Sequence, residues 1–150
     1  MARKSGVAGP ARRLEFRYDY MGRRIRKNVY NAITGGTLQE SRVYLYEGWN
    51  LVAEFDGAQS NALLRTYTWG LDLSGSRQGA GGTGGLLIVQ DHEGASPENH
   101  FAAYDGNGNV VGLIDSVTGE KSATYEYIPF GELIRVSGEM GMKRGHFVMF

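Results

Sequence analysis

Turn signals interrupt this chain so often that no long helix fits between them. Met21-Gly22, the cluster Asn31 to Gly36, Asp56-Gly57, Asp105-Gly-Asn-Gly108, Thr118-Gly119 and Pro129-Phe-Gly131 punctuate it along most of its length. Between them lie short runs of alternating apolar and polar side chains, such as Leu14-Glu-Phe-Arg-Tyr-Asp-Tyr20. A period of two marks a strand with one buried face, and no segment sustains the 3.6-residue period of a helix. The runs that read as strands are Leu14 to Tyr20, Arg23 to Tyr30, Arg42 to Tyr46, Leu51 to Phe55, Leu63 to Trp69, Leu86 to Val89, His100 to Tyr104, Asn109 to Ile114, Ser122 to Tyr127 and Glu132 to Val136. The expectation is an all-β protein of successive antiparallel hairpins with almost no helix.

Composition agrees. Glycine supplies 23 of 150 residues, about twice the ~7% of ordinary proteins, and nine residues are tyrosine. Glycine favours tight turns and tyrosine favours strands. With no cysteine there is neither a disulfide scaffold nor a thiolate metal site. Hydrophobic residues at 41% and aromatics at 11% exclude a low-aromatic, highly charged disordered chain. No run approaches the ~20 apolar residues of a membrane-spanning helix.

The charges balance, 16 basic against 16 acidic, but unevenly along the chain. Met1 to Lys27 holds nine basic residues and two acidic ones. A basic arm can bind nucleic acid. Here Arg17, Arg23, Arg24 and Arg26 fall in a hairpin, where long basic side chains line the solvent face, so no nucleic-acid partner is expected. No apolar stretch follows the basic start, so no secretory signal is expected in it. The organisation reads as a loose basic lead-in over 1–13, a hairpin region over 14–138, and an off-pattern tail over 139–150. Within the hairpin region, 70–85 reads as an exposed glycine-rich loop.

One unit recurs. Tyr18-Asp19-Tyr-Met-Gly22 and Tyr104-Asp105-Gly-Asn-Gly108 share Tyr-Asp-x-x-Gly, and Tyr127-Ile-Pro129-Phe130-Gly131 keeps the Tyr and the Gly. The tyrosine ends a strand and packs, the aspartate caps the turn by accepting from backbone N–H groups, and the glycine takes a positive φ. Tyr104 and Tyr127 lie 23 residues apart, a spacing typical of stacked supersecondary repeats.

With the box Tyr125-Glu-Tyr-Ile-Pro-Phe-Gly-Glu132, the approach Tyr104 to Glu120, and the phrases Trp49-Asn-Leu-Val-Ala-Glu54 and Tyr67-Thr-Trp-Gly-Leu-Asp72, the chain resembles the Rhs or YD-repeat proteins. The resemblance spans roughly 14–138. It implies a strip of a β-sheet that spirals into a hollow shell. In bacterial members such a shell encloses a C-terminal toxin and closes with a core domain; in the animal teneurins a related YD shell serves adhesion. It therefore implies a non-catalytic structural segment that encloses or presents a toxin or effector segment. The implied partners are the rest of a parent shell and that segment, and the implied location is secreted or cell-surface. The Asp-Pro-rich self-cleavage segment of bacterial members has no counterpart, since the three prolines are Pro10, Pro97 and Pro129. The chain looks like a truncated part of a shell with an off-pattern end, which predicts a marginal, oligomeric or aggregation-prone protein.

Other candidate chemistry is sparse. Gly79, Gly81 and Gly84 match G-x-G-x-x-G, but a polar loop precedes them and a strand follows, where a dinucleotide site needs a strand and then a helix N-terminus. Asp105, Asn107 and Asn109 match the opening of a calcium loop, but Val110 and Ser116 stand where that loop needs Gly and a bidentate Glu. His92, between Asp91 and Glu93, has no second histidine at ligand spacing, and neither His100 nor His146 completes a metal motif. No nucleophile elbow occurs. No cofactor or metal site and no catalytic residue is expected. Trp49, Trp69 and the tyrosines could instead stack on sugar rings, an alternative function as a carbohydrate- or cell-surface-binding module, if they do not simply fill cross-strand pairs.

Overall fold

Each strand pairs with its neighbours in sequence, so the chain forms one open antiparallel meander in the computed structural model, which describes residues 11–129 and 131–143. The strands are β1 (Arg13–Tyr18), β2 (Arg24–Tyr30), β3 (Leu38–Glu47), β4 (Asn50–Asp56), β5 (Ala62–Trp69), β6 (Leu86–Asp91), β7 (Glu98–Tyr104), β8 (Val110–Asp115), β9 (Lys121–Tyr127) and β10 (Leu133–Ser137). The all-β expectation holds, and each of the ten sequence runs overlaps one strand. A short helix, α1 (Glu139–Met142), follows β10. It falls at the start of the segment read as an off-pattern tail. Among the described residues no helix is long and apolar enough to cross a membrane.

The register explains how the two faces differ. Tyr44, Glu54, Arg65 and Asp91 stand opposite one another on β3 to β6. Val89, His100, Asp115 and then Ala102, Leu113, Ala123 continue the same face across β6 to β9. This face carries α1 and the core: Val89, Leu113, Ala123, Tyr125 and Met140 are buried, with Tyr67, Leu86 and Val110 in the same cluster. It is therefore apolar over its C-terminal half and ionic over its N-terminal half. The opposite face carries Leu45, Ala53, Thr66 and Gln90 in one row and Thr68, Ile88, Phe101 and Ile114 in the next. Phe101 there is 49% exposed.

The 70–85 loop exposes much of its length but is anchored: Asp72, Gly82 and Gly85 are buried, and Gly70 N–H donates to Gly85 O at 2.7 Å, so the loop closes on itself. The hairpin arginines also stack on rings. Arg24 stacks over Phe16 at 4.4 Å, Arg13 over Tyr30 at 4.2 Å and Arg23 over Tyr46 at 5.3 Å. A guanidinium plane covers an aromatic face while its edge stays wet, so the exposed rings of the first hairpins are shielded by their own basic neighbours.

Candidate functional site

The Tyr-Asp-x-x-Gly unit is a hairpin turn with fixed chemistry. In the first copy Gly22 N–H donates to Asp19 O at 3.1 Å and Asp19 N–H to Arg23 O at 3.0 Å, with Gly22 at φ +80°. In the second, Gly108 N–H donates to Asp105 O at 3.1 Å and Asp105 N–H to Asn109 O at 3.0 Å, with Gly108 at φ +81°. In the third, Gly131 N–H donates to Ile128 O and Ile128 N–H to Glu132 O, both at 2.9 Å, with Gly131 at φ +82°. A type I turn followed by a left-handed residue builds this loop, and only glycine takes that last position without strain. Pro129 occupies the second turn position, which suits its fixed φ. Phe130 lies outside the described residues.

The aspartate closes the turn from inside. Asp19 Oδ1 accepts from Met21 N–H at 2.9 Å and Arg23 N–H at 3.0 Å; Asp105 Oδ1 accepts from Asn107 and Asn109 N–H, both at 2.9 Å. Asn109 Nδ2 occupies the other Asp105 oxygen at 2.8 Å. These bonds hold the Asp105 carboxyl below its ordinary pKa, the Asn109 side-chain and backbone bonds first among them. The residues that opened a calcium-loop match are thus consumed by a turn.

The aromatic residue of the unit does more than pack. Tyr104 OH donates to Leu86 O, and Tyr127 OH to Val110 O at 2.9 Å. Trp69 Nε1 makes the same kind of bond to Leu51 O at 2.7 Å. In each case an aromatic at the end of an odd-numbered strand reaches back to a carbonyl near the start of the strand before it. Trp69 and Tyr104 are the clearest examples of one device in two chemistries. Tyr18, at the end of β1, has no earlier strand beside it among the described residues and is 53% exposed. Trp49 is also exposed, at 54%, in the β3–β4 turn, whereas Trp69 is packed against the core. The structure therefore separates the two tryptophans.

Asp72 organises the glycine-rich loop. Its carboxylate accepts from the N–H groups of Ser74 at 2.9 Å, Ala80 at 2.6 Å and Gly82 at 3.2 Å, and from the Ser74 hydroxyl. The Ser74 hydroxyl bond leads in lowering its pKa to about 2, with the backbone donors adding to it. Gly79, Gly81 and Gly84 lie in a loop wrapped around this carboxylate and run into β6, not into a helix.

The least expected feature is a buried charge ladder. Arg65, 0% exposed, pairs with Glu54 at 3.2 Å, with Asp91 at 3.8 Å and with Glu93. Arg42 pairs with Glu54 at 3.7 Å and Asp56 at 3.8 Å, and Tyr67 OH donates to Glu54 at 3.2 Å. Lys143, just past α1, lands on the other oxygen of Asp91. Burial raises the Glu54 pKa despite its two arginines. Burial acts the same way on Asp91, but the Lys143 ammonium and Arg65 outweigh it, and that pKa falls.

A second polar group sits beside α1. His100 is buried; the Ser122 hydroxyl lies 2.9 Å from its Nδ1, and Asp115 lies 3.9 Å from the same nitrogen. A cavity of about 310 Å³ adjoins it, lined also by Glu98, Lys121 and Glu139. A serine–histidine–aspartate relay needs the acid and the nucleophile on opposite ring nitrogens. Here both crowd Nδ1, so the arrangement cannot pass a proton along that line.

His92 stands at the end of β6 with its Nε2 at 3.2 Å from the Thr66 hydroxyl, and His146 lies outside the described residues. Sequence reasoning missed Arg42, Glu54, Arg65, Asp72, Asp91 and the His100–Ser122 contact. Charged residues inside alternating runs gave no sign of burial, because only the register brings four strands' charges together. The chain matches no family profile and no curated protein.

Proposed function

We propose that this chain is a non-catalytic strip of β-hairpin scaffold of the Rhs or YD-repeat type, whose work is to enclose or present another polypeptide segment. The observation that carries the reading is a glycine turn repeated three times, capped by aspartate at Asp19 and Asp105, with the preceding aromatic pinned to the neighbouring strand's carbonyl at Tyr104 and Tyr127. Such a unit propagates a sheet one hairpin at a time and commits its polar side chains to scaffolding. The exposed Tyr18 on the open β1 edge fits a strip that continues against another strand. Secretion or a cell-surface location, and a toxin or effector as the enclosed segment, belong to the same reading.

The test is association. Sedimentation velocity on the full chain across a hundredfold concentration range should reveal self-association through the open edges. A concentration-independent monomer with a sharp, high-temperature melt would reject the strip reading.

A second reading is favoured by one observation. Trp49 is exposed in the β3–β4 turn, where its backbone N–H donates to Gln78 Oε1 at 3.0 Å. Glu47 and Asn50 on either side of it line a cavity of about 260 Å³ with Trp69, Arg77 and Gln78. An exposed ring in a turn that borders a polar hollow suits a saccharide. A glycan array probed with the chain and with Trp49→Ala decides it: binding lost in the variant supports a sugar site, and an array without hits removes it.

A further inference from the structure

We propose that α1 and Lys143 form a detachable strap, seated in a notch on the core face that selects an apolar side chain followed one helical turn later by a positive charge. The strap is built from little. α1 is one turn, with Met142 N–H donating to Gly138 O at 3.1 Å. It belongs to no ladder, so the hydrogen bonds that hold the sheet do not hold it. Two side chains hold it instead, three residues apart and so on one side of the turn. Met140, 1% exposed, enters the core among Ala123, Tyr125 and Val136. Lys143 reaches across to Asp91 on β6.

The notch is charge-selective. Without Lys143, two guanidiniums, Arg42 and Arg65, face four carboxylates, Glu54, Asp56, Asp91 and Glu93. Among the described residues Lys143 brings the positive charges there to three against those four, and it does so at an aspartate that is 2% exposed. An acid excess at such depth attracts a cation and rejects an anion. The pivot is Gly138. Its φ is +88°, and a Cβ there would lie 2.4 Å from Ser122 O and 2.9 Å from Ala123 Cα. The chain thus leaves β10 flush against β9, at a residue that can swing without a side chain.

The occupant is the chain's own segment, so opening is an intramolecular event that the unmodified protein reports. Met140 is buried in the seated strap, whereas Met142 is largely exposed. In the full chain under dilute hydrogen peroxide, followed by peptide mass spectrometry, Met142 should oxidise first. Met140 should follow at a rate well above that set by global unfolding. Lys143→Glu should raise the Met140 rate about tenfold or more while lowering the unfolding free energy by no more than that fold-change converts to, about 1.4 kcal/mol per factor of ten, and Asp91→Asn should act in the same direction. Lys143→Arg should keep the slow rate. If Met140 oxidises only as fast as the whole protein unfolds, the segment is an integral part of the core and the strap does not exist. If Lys143→Glu leaves the rate unchanged, or Lys143→Arg raises it as much, the notch has no charge selectivity and the proposal fails.

Discussion

At the residue scale, the pinned aromatics and Asp72 matter most. Tyr104 and Tyr127 each place a hydroxyl on a backbone carbonyl of the adjacent strand. Tyr104→Phe and Tyr127→Phe should each cost about 1 kcal/mol in urea unfolding, the usual net worth of such a bond. Tyr18→Phe, at an exposed edge position, should stay within about 0.5 kcal/mol. Asp72 has a pKa lowered to about 2, so its ionised form favours the folded loop. That contribution is complete above the ordinary carboxylate range and is lost as pH falls toward 2. Asp72→Asn should speed hydrogen exchange at Ala80 and Gly82 at neutral pH, and the difference from the parent should shrink as pH approaches 2.

At the element scale, the ionic ladder of β3 to β6 and the histidine beside α1 set opposite demands. Removing one partner of a buried ion pair strands the other, so Arg65→Met should cost roughly 3–5 kcal/mol by chemical denaturation. Glu54→Leu with Arg65→Met should recover only the share due to the stranded Glu54, because Arg42 and the Tyr67 hydroxyl then lose Glu54 while Asp91 and Glu93 still lack Arg65. The His100 imidazole has its pKa pushed down from 6.5, by burial first, despite the pull of Asp115. The neutral ring therefore favours the fold, and stability should decline as pH drops through the ordinary histidine range. His100→Gln should flatten the melting temperature between pH 7 and pH 5. A variant with the same slope as the parent would place that dependence elsewhere. Bulges or irregularities interrupt every strand pairing except β6–β7, which adds local twist to the sheet.

At the scale of the whole molecule, the open meander of the described residues leaves two outer strands, β1 and β10, each paired there on one side. β1 also exposes Leu14, Phe16 and Tyr18. Unpaired edges with apolar side chains template further pairing. Leu14→Lys should weaken self-association in sedimentation without lowering the melting temperature by more than a few degrees, since the residue is already half in water. An unchanged association constant would move the contact to β10 or to the face carrying Phe101.

The sequence by itself determined the number and kind of the elements. Alternation with a period of two, cut by aspartate and glycine at fixed offsets, permits little but antiparallel hairpins, and that information is local. Asp19 and Asp105 cap such turns and Gly22, Gly108 and Gly131 take the positive φ in them, all within five residues of chain. Only the tertiary structure decided which alternating face is buried and what the charges on it do. Arg65 and Glu54 look like ordinary solvent-facing residues of a strand until the register of β3 to β6 stacks them and removes water. The same holds for Met140 and Lys143, whose roles depend on a strand many residues earlier. Long-range pairing is a property of the assembled sheet, and no window of sequence contains it.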